Sequence, residues 1–251
     1  MPPKLNITRA TQYAQVDPAF TARLKEIWKA RWKALNEEIT VQPPNYRKMK
    51  ATNNAPFMSR LKGLCTKPEL LDTEITRLRG LPFERFFVRE YKGHPWLVGL
   101  TRPVVMNDDN RLYQGPRYFV YIPDDVIARG TDAAFHFVPE GNEMTTARHP
   151  HHNVKKYYYD PSGQYQEVDL NAAKDPLDYV PETCWGSFGT IDTACITAGD
   201  VVDLFRNIAI YLTRINQNSL LTRPFEACFF LQDIGPADEK QKSALKGKIG
   251  R

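Results

Sequence analysis

The chain has 251 residues, 42% of them hydrophobic and 25% charged, enough to bury one full core and ordinary for a folded domain. No apolar run reaches the ~20 residues that a bilayer crossing takes, the N-terminus lacks the apolar stretch of a secretory signal, and the four cysteines form no CxxC pair, which argues against a disulfide scaffold and a zinc ribbon. The net charge of +5 is unevenly spread: residues 1–62 carry twelve Lys/Arg against four Asp/Glu, residues 240–251 carry five basic side chains and no acid, and residues 63–239 hold seventeen basic against twenty-five acidic.

Residues 1–16 are polar and read as an N-terminal arm. Asp17-Pro18 supplies an N-cap and a proline for the first helical position. Phe20, Leu24, Ile27, Trp28, Arg31, Trp32, Leu35 and Ile39 then recur at three- and four-residue steps, which predicts an amphipathic helix with both tryptophans on its core stripe. Pro43-Pro44 ends it. Residues 45–80 are basic and helical in part, stopping at Gly80. The period then shifts to strands over Phe83–Tyr91, Trp96–Val105, Arg117–Ile122 and Ala133–Val138, with turn chemistry at 92–95, 107–110 and 124–130. Such short connections predict a four-stranded antiparallel meander.

From 139 to about 196 the pattern lapses into a long irregular loop region, interrupted by a strand at Tyr157-Tyr158-Tyr159 that enters a turn at Asp160-Pro161-Ser162-Gly163. A second helix opens at Thr197–Asp200, runs through Ile215 and stops at Asn216-Gln217-Asn218. Phe225–Leu231 reads as one further strand. The expected class is therefore α+β: N-terminal amphipathic helix, four-stranded antiparallel meander, long irregular loop region and C-terminal helix. One domain over 17–235 stands between the polar arm 1–16 and a basic tail, 236–251.

Two segments of the irregular region carry chemistry. Arg148-His149-Pro150-His151-His152-Asn153 offers imidazoles and a carboxamide. Thr183-Cys184-Trp185-Gly186-Ser187-Phe188-Gly189 offers a thiol in a glycine-flanked loop. Cys195 and Cys228 sit among apolar residues and read as core. A zinc site built from His149, His151, His152 and Cys184 is the rival reading. In an extended segment His149 and His151 share a face while His152 points away, so no metal is assigned. No nucleotide, dinucleotide, hydrolase or zincin motif is present, and no cofactor is expected.

The order of helix, four-strand meander, His-Pro segment, cysteine loop and helix resembles the ubiquitin-conjugating fold. Tyr118-Phe119-Val120-Tyr121-Ile122-Pro123-Asp124 is similar to the family's third strand and the turn after it, and Phe135–Pro139 stands where the fourth would be. His149-Pro150-His151 resembles the family's His-Pro-Asn motif. The resemblance implies that Cys184 carries a modifier as a thioester, that Asn153 or His151 assists its transfer to an amine, and that His149 and Pro150 order the loop. A ubiquitin-like modifier and its activating enzyme would be the partners. Cys184 lies thirty-one residues beyond Asn153, so residues 154–182 would be an insertion that loops out. The alternative is a structural or interaction subunit of a larger assembly, virion or ribonucleoprotein, with no active site. Its basic ends would hold assembly neighbours or nucleic acid. Either way the expected setting is cytoplasmic, or a virion, with no membrane partner.

Overall fold

A two-residue strand, β1 (Gln15–Val16), and three helices open the described part of the chain, which in the computed structural model comprises residues 13–108, 111–129, 135–159, 162–185, 188–214, 228 and 230–236. The helices α1 (Pro18–Thr40), α2 (Pro44–Thr66) and α3 (Pro68–Arg79) each begin with proline, whose fixed φ suits a first helical turn. The buried side of α1 carries Phe20, Leu24, Ile27, Trp28, Leu35 and Ile39. Trp32 departs from the expected stripe. It lies at the rim and is 36% exposed, because the 100° step per residue carries it past the line of Leu24, Trp28 and Leu35. The carboxylate of Asp17 does not cap α1; it grips Arg85 instead, with Nη2 to Oδ2 at 2.7 Å.

After α3 come β2 (Phe83–Tyr91), β3 (His94–Thr101), β4 (Val105–Asp108), β5 (Arg111–Gln114), β6 (Tyr118–Pro123), α4 (Asp124–Arg129) and β7 (His136–Pro139). The strands β2, β3, β6 and β7 form an antiparallel meander, and β1 adds to its β2 edge in parallel. The protein is α+β, as its sequence pattern predicts. The strand expected over Trp96–Val105 is divided: β3 ends at Thr101, and Pro103, which has no N–H for a ladder, leads into the β4–β5 hairpin. The turn expected at 124–130 is helical as α4, tied to α1 by an ion pair between Asp124 and Arg23.

The remaining elements are β8 (Ala147–His149), β9 (His152–Val154), β10 (Tyr157–Tyr159), β11 (Tyr165–Glu167), a 3-10 turn (Pro176–Asp178), β12 (Pro181–Thr183), α5 (Phe188–Ala198), α6 (Val201–Leu212) and β13 (Gln232–Pro236). The region expected to be irregular is thus built of three-residue strands, too short to show a period in sequence. Its second half holds a full helix, α5. The strand β13 pairs with β5. The expected helix stop at Asn216–Asn218 and most of the expected strand Phe225–Leu231 lie outside the described residues, as do residues 1–12 of the arm and 237–251 of the tail. Within the arm, Ala14 is buried and residues 15–16 belong to the sheet.

One face of the sheet holds the main core. Phe205 of α6 meets Phe83 and Phe86 at ring-centroid distances of 5.5 and 5.1 Å, and Phe20 of α1 closes the cluster. The other face is not left to solvent. Val98, Tyr121 and Val138 form a small second core with Leu177, which comes from the 154–182 segment. Asp175 pairs with Arg89 of β2. Asp178 receives the Tyr91 hydroxyl and the Lys92 ammonium, the latter at 2.6 Å, and these contacts hold its carboxyl well below the usual range. The segment expected to loop out instead clamps the back of the meander.

Gly99 sits where the Phe83 and Phe205 rings converge. A Cβ there would lie 2.7 Å from a Phe83 ring carbon and 2.9 Å from one of Phe205. Gly99→Ala is expected to cost about 1–3 kcal/mol through overpacking, read as a lower urea midpoint at unchanged slope; an unchanged midpoint would show that the rings yield without cost.

Candidate active site

Two elements build the site: the β8–β9 hairpin, which carries Arg148 to Asn153, and β12, which runs antiparallel beside β9. The register of β12 on β9 sets Thr183 against His152, Glu182 against Asn153 and Pro181 against Val154. One step further, the Cys184 N–H donates to the His151 carbonyl at 2.9 Å. The thirty-one residues between Asn153 and Cys184 therefore return the cysteine to the hairpin. The same His151 carbonyl accepts the Tyr211 hydroxyl of α6 at 2.8 Å.

The imidazoles of the segment serve this construction. His149 is fully buried. Its Nδ1 accepts the His151 N–H at 3.1 Å, which leaves the ring proton on Nε2 to donate to the Leu212 carbonyl at 3.2 Å. His152 is also fully buried. Its Nε2 accepts the Phe137 N–H of β7 at 3.1 Å, so Nδ1–H donates to Thr183 Oγ1 at 2.7 Å. His149 thus ties the turn to the end of α6, and His152 ties β9 to both β7 and β12. Both nitrogens of each ring are engaged, and among the described residues no cluster of three His, Cys, Asp or Glu side chains could hold a metal ion. The His149 and His151 rings lie 6.0 Å apart, while His152 packs on Phe137 at 4.6 Å.

Alternation along the ladder decides where the thiol faces. Thr183 turns toward His152. Trp185 packs on Phe137 and Tyr211 at centroid distances of 5.6 and 5.1 Å. Both are thus directed to the core side. Cys184, between them, faces the side of the ladder that carries Asn153 and Glu182. The cysteine is half-buried, and none of the four cysteines is in a disulfide. Asn153 is 4% exposed, and its side-chain Oδ1 has no hydrogen-bond partner among the described residues.

Four contributors were not legible as site residues: Tyr211, Thr183, His136 and Arg148. Tyr211 reads in sequence as one more apolar member of the α6 stripe. Arg148 is fully buried beneath the hairpin. Its guanidinium donates to the Thr145 and Pro176 carbonyls at 3.3 and 2.7 Å and to Nδ1 of His136 at 3.2 Å, and it lies over the Tyr179 ring. Burial lowers its pKa to about 10. Burial also pushes the pKa of His136 and His149 down to about 3, helped respectively by Arg148 and His151, and holds His152 well below its ordinary value. His151 is lowered by burial as well.

These shifts fix the sign of a pH dependence. Each folded-state value lies below that of an unfolded histidine, about 6.5. Stability is complete above that value and is lost as pH falls toward 3, because the unfolded chain binds the extra protons. From pH 7.5 to 5, where most carboxylates stay ionised, His136 and His149 should each remove about 2 kcal/mol, and His152 acts in the same direction. Urea midpoints measured at half-unit steps should fall across that range, and less steeply for His149→Gln. A level midpoint would contradict the buried neutral rings.

Among the described residues no helix is long and apolar enough to cross a membrane. No protein-family model, curated protein or solved structure matches the chain.

Proposed function

We propose that the chain is a divergent ubiquitin-conjugating-like protein that carries a modifier as a thioester on Cys184. The observation that carries this reading is the backbone bond from Cys184 to His151, which unites the cysteine loop with the His-Pro hairpin despite their separation in sequence. The element order supports it: α1, the meander β2-β3-β6-β7, the hairpin, the cysteine, then helices. A half-buried thiol at the end of an extended strand, next to the core-packed Trp185, is compatible with approach by a chain terminus.

The Cys184 thiolate attacks the carbonyl of an activated modifier. The new C–S bond forms as the donor thiolate leaves and takes up the proton that the Cys184 thiol gave up. An amine then attacks the thioester, Cys184 departs as thiolate, and the amine's proton passes to water. Asn153 or His151 donates a hydrogen bond to the oxyanion that develops in each step. A shared side of the ladder with Cys184 supports Asn153 in this role, and burial, which lowers the pKa of His151, favours its neutral ring. His149 and Pro150 shape the turn that sets both. The partners are a ubiquitin-like modifier and its activating enzyme.

Intact-mass spectrometry after incubation with a glycine-ended peptide thioester tests the reading. A thiol-sensitive adduct should form on the wild type and on Cys195→Ser and vanish in Cys184→Ser. Asn153→Ala should still load but discharge to an added amine about 10²–10³-fold more slowly. Failure of Cys184 to load would return the chain to the alternative, a structural or interaction subunit without an active site.

A further inference from the structure

The three-stranded sheet has the order β12-β9-β8, so β12 is an edge strand, and the nucleophile of the proposed reaction follows it directly. The hydrogen bonds define which backbone groups that edge presents. Cys184 N–H reaches the His151 carbonyl and Lys155 N–H reaches the Val180 carbonyl. In an antiparallel ladder these bonded pairs alternate with non-bonded ones, so Glu182 with Asn153 is also a bonded pair, whereas Thr183 with His152 and Pro181 with Val154 are not. The close approach of His152 Nδ1 to Thr183 Oγ1, 2.7 Å, is the side-chain contact expected of a non-bonded pair. Val180, Glu182 and Cys184 therefore direct their backbone groups inward to β9. Thr183 directs its N–H and C=O outward, and Pro181 directs only a C=O outward, having no N–H. The three residues of β12 are half-buried, not covered, and no partner strand lies on this edge among the described residues.

We propose that this outer edge of β12 is the docking strand for the extended C-terminal tail of the acyl donor, an inference that rests on Cys184 being the acyl acceptor. Chain direction follows from the chemistry. The tail must end with its carbonyl at Cys184, so along Pro181–Thr183 it runs toward the cysteine, parallel to β12. In parallel pairing, Thr183 C=O accepts the N–H of the donor's last residue, Thr183 N–H donates to the carbonyl two residues earlier, and Pro181 C=O accepts the N–H of that same earlier residue. The N–H of the penultimate residue points away from β12. Recognition is through the donor's main chain, as when an extended peptide adds a strand to a sheet edge. The ligand class is an extended, unbranched peptide terminus activated as a thioester, whatever the globular part attached to it.

Three peptide probes of one sequence, each a C-terminal aryl thioester ending in glycine, test this. Acyl transfer to Cys184 forms the Cys184 S–C bond and releases the aryl thiol, which is followed by absorbance. The second probe has an ester oxygen in place of the last residue's N–H; the third has it in place of the penultimate N–H. We expect the second to load roughly five- to tenfold more slowly than the parent, the worth of one hydrogen bond, and the third to lose less, about two- to threefold, because it keeps that donor and only weakens the carbonyl that accepts the Thr183 N–H. Equal loading of all three would overturn the docking strand while leaving the thioester function intact. Slowing only of the third would overturn the parallel direction and the register of the tail on β12. No loading of Cys184 by the parent would overturn both readings together.

Discussion

Both lone pairs of one carbonyl oxygen, that of His151, hold the candidate site together. It accepts the Cys184 N–H from the cysteine strand and the Tyr211 hydroxyl from α6. Through that atom the hairpin, the return strand and α6 share one junction. The His151 N–H cannot complete the bonded pair with Cys184, because it is given to Nδ1 of His149. The donation also fixes the His149 tautomer and so the bond to Leu212. A neutral imidazole has one donor and one acceptor, and here each has a single assignment. The ring proton has nowhere else to go, which is why protonating this histidine and unfolding the turn are linked events.

Arg148 shows why the 154–182 segment folds back. An arginine with no exposed surface is costly unless its donors are satisfied, and the hairpin alone supplies only the Thr145 carbonyl. The Pro176 carbonyl and the Tyr179 ring come from the segment, and His136 comes from the meander. Docking the segment therefore completes a shell that would otherwise hold an undersolvated charge. The same contact lays Leu177 over the back of the sheet and lets Asp175 and Asp178 reach Arg89, Tyr91 and Lys92. The segment leaves this clamp at Tyr179 and enters β12 at Pro181. The clamp thus sets the register that delivers Cys184.

Periodic stretches were legible in sequence. The stripe from Phe20 to Ile39 and the alternations of β2, β3 and β6 each span enough residues for a period to show. Trp32 misleads because two residues four apart can straddle the edge of a stripe. The candidate site was legible in its residues but not in its arrangement. Cys184, His149, His151 and Asn153 stand out by type. Their proximity, however, rests on the pairing of β12 with β9, a contact between three-residue strands far apart in the chain. No local propensity encodes that pairing. Arg148, buried beside His136, and Tyr211, with its hydroxyl on a backbone carbonyl, look in sequence like a surface charge and a core ring. What assigns them is the set of acceptors the fold brings near.

An open strand edge beside a cysteine thiol is a hazard, since any extended segment can add to it. The sequence of β12 limits that hazard. Three residues give at most a short ladder, and Pro181 removes one of the two outward donors, leaving Thr183 as the single residue with both groups facing out. The Thr183 side chain is meanwhile committed to His152, so it cannot turn to compete for its own backbone. An edge built this way is too weak to capture chains at random. Yet its one complete donor–acceptor pair lies immediately before Cys184, where the proposed acyl donor would need its chain end aligned and nothing longer.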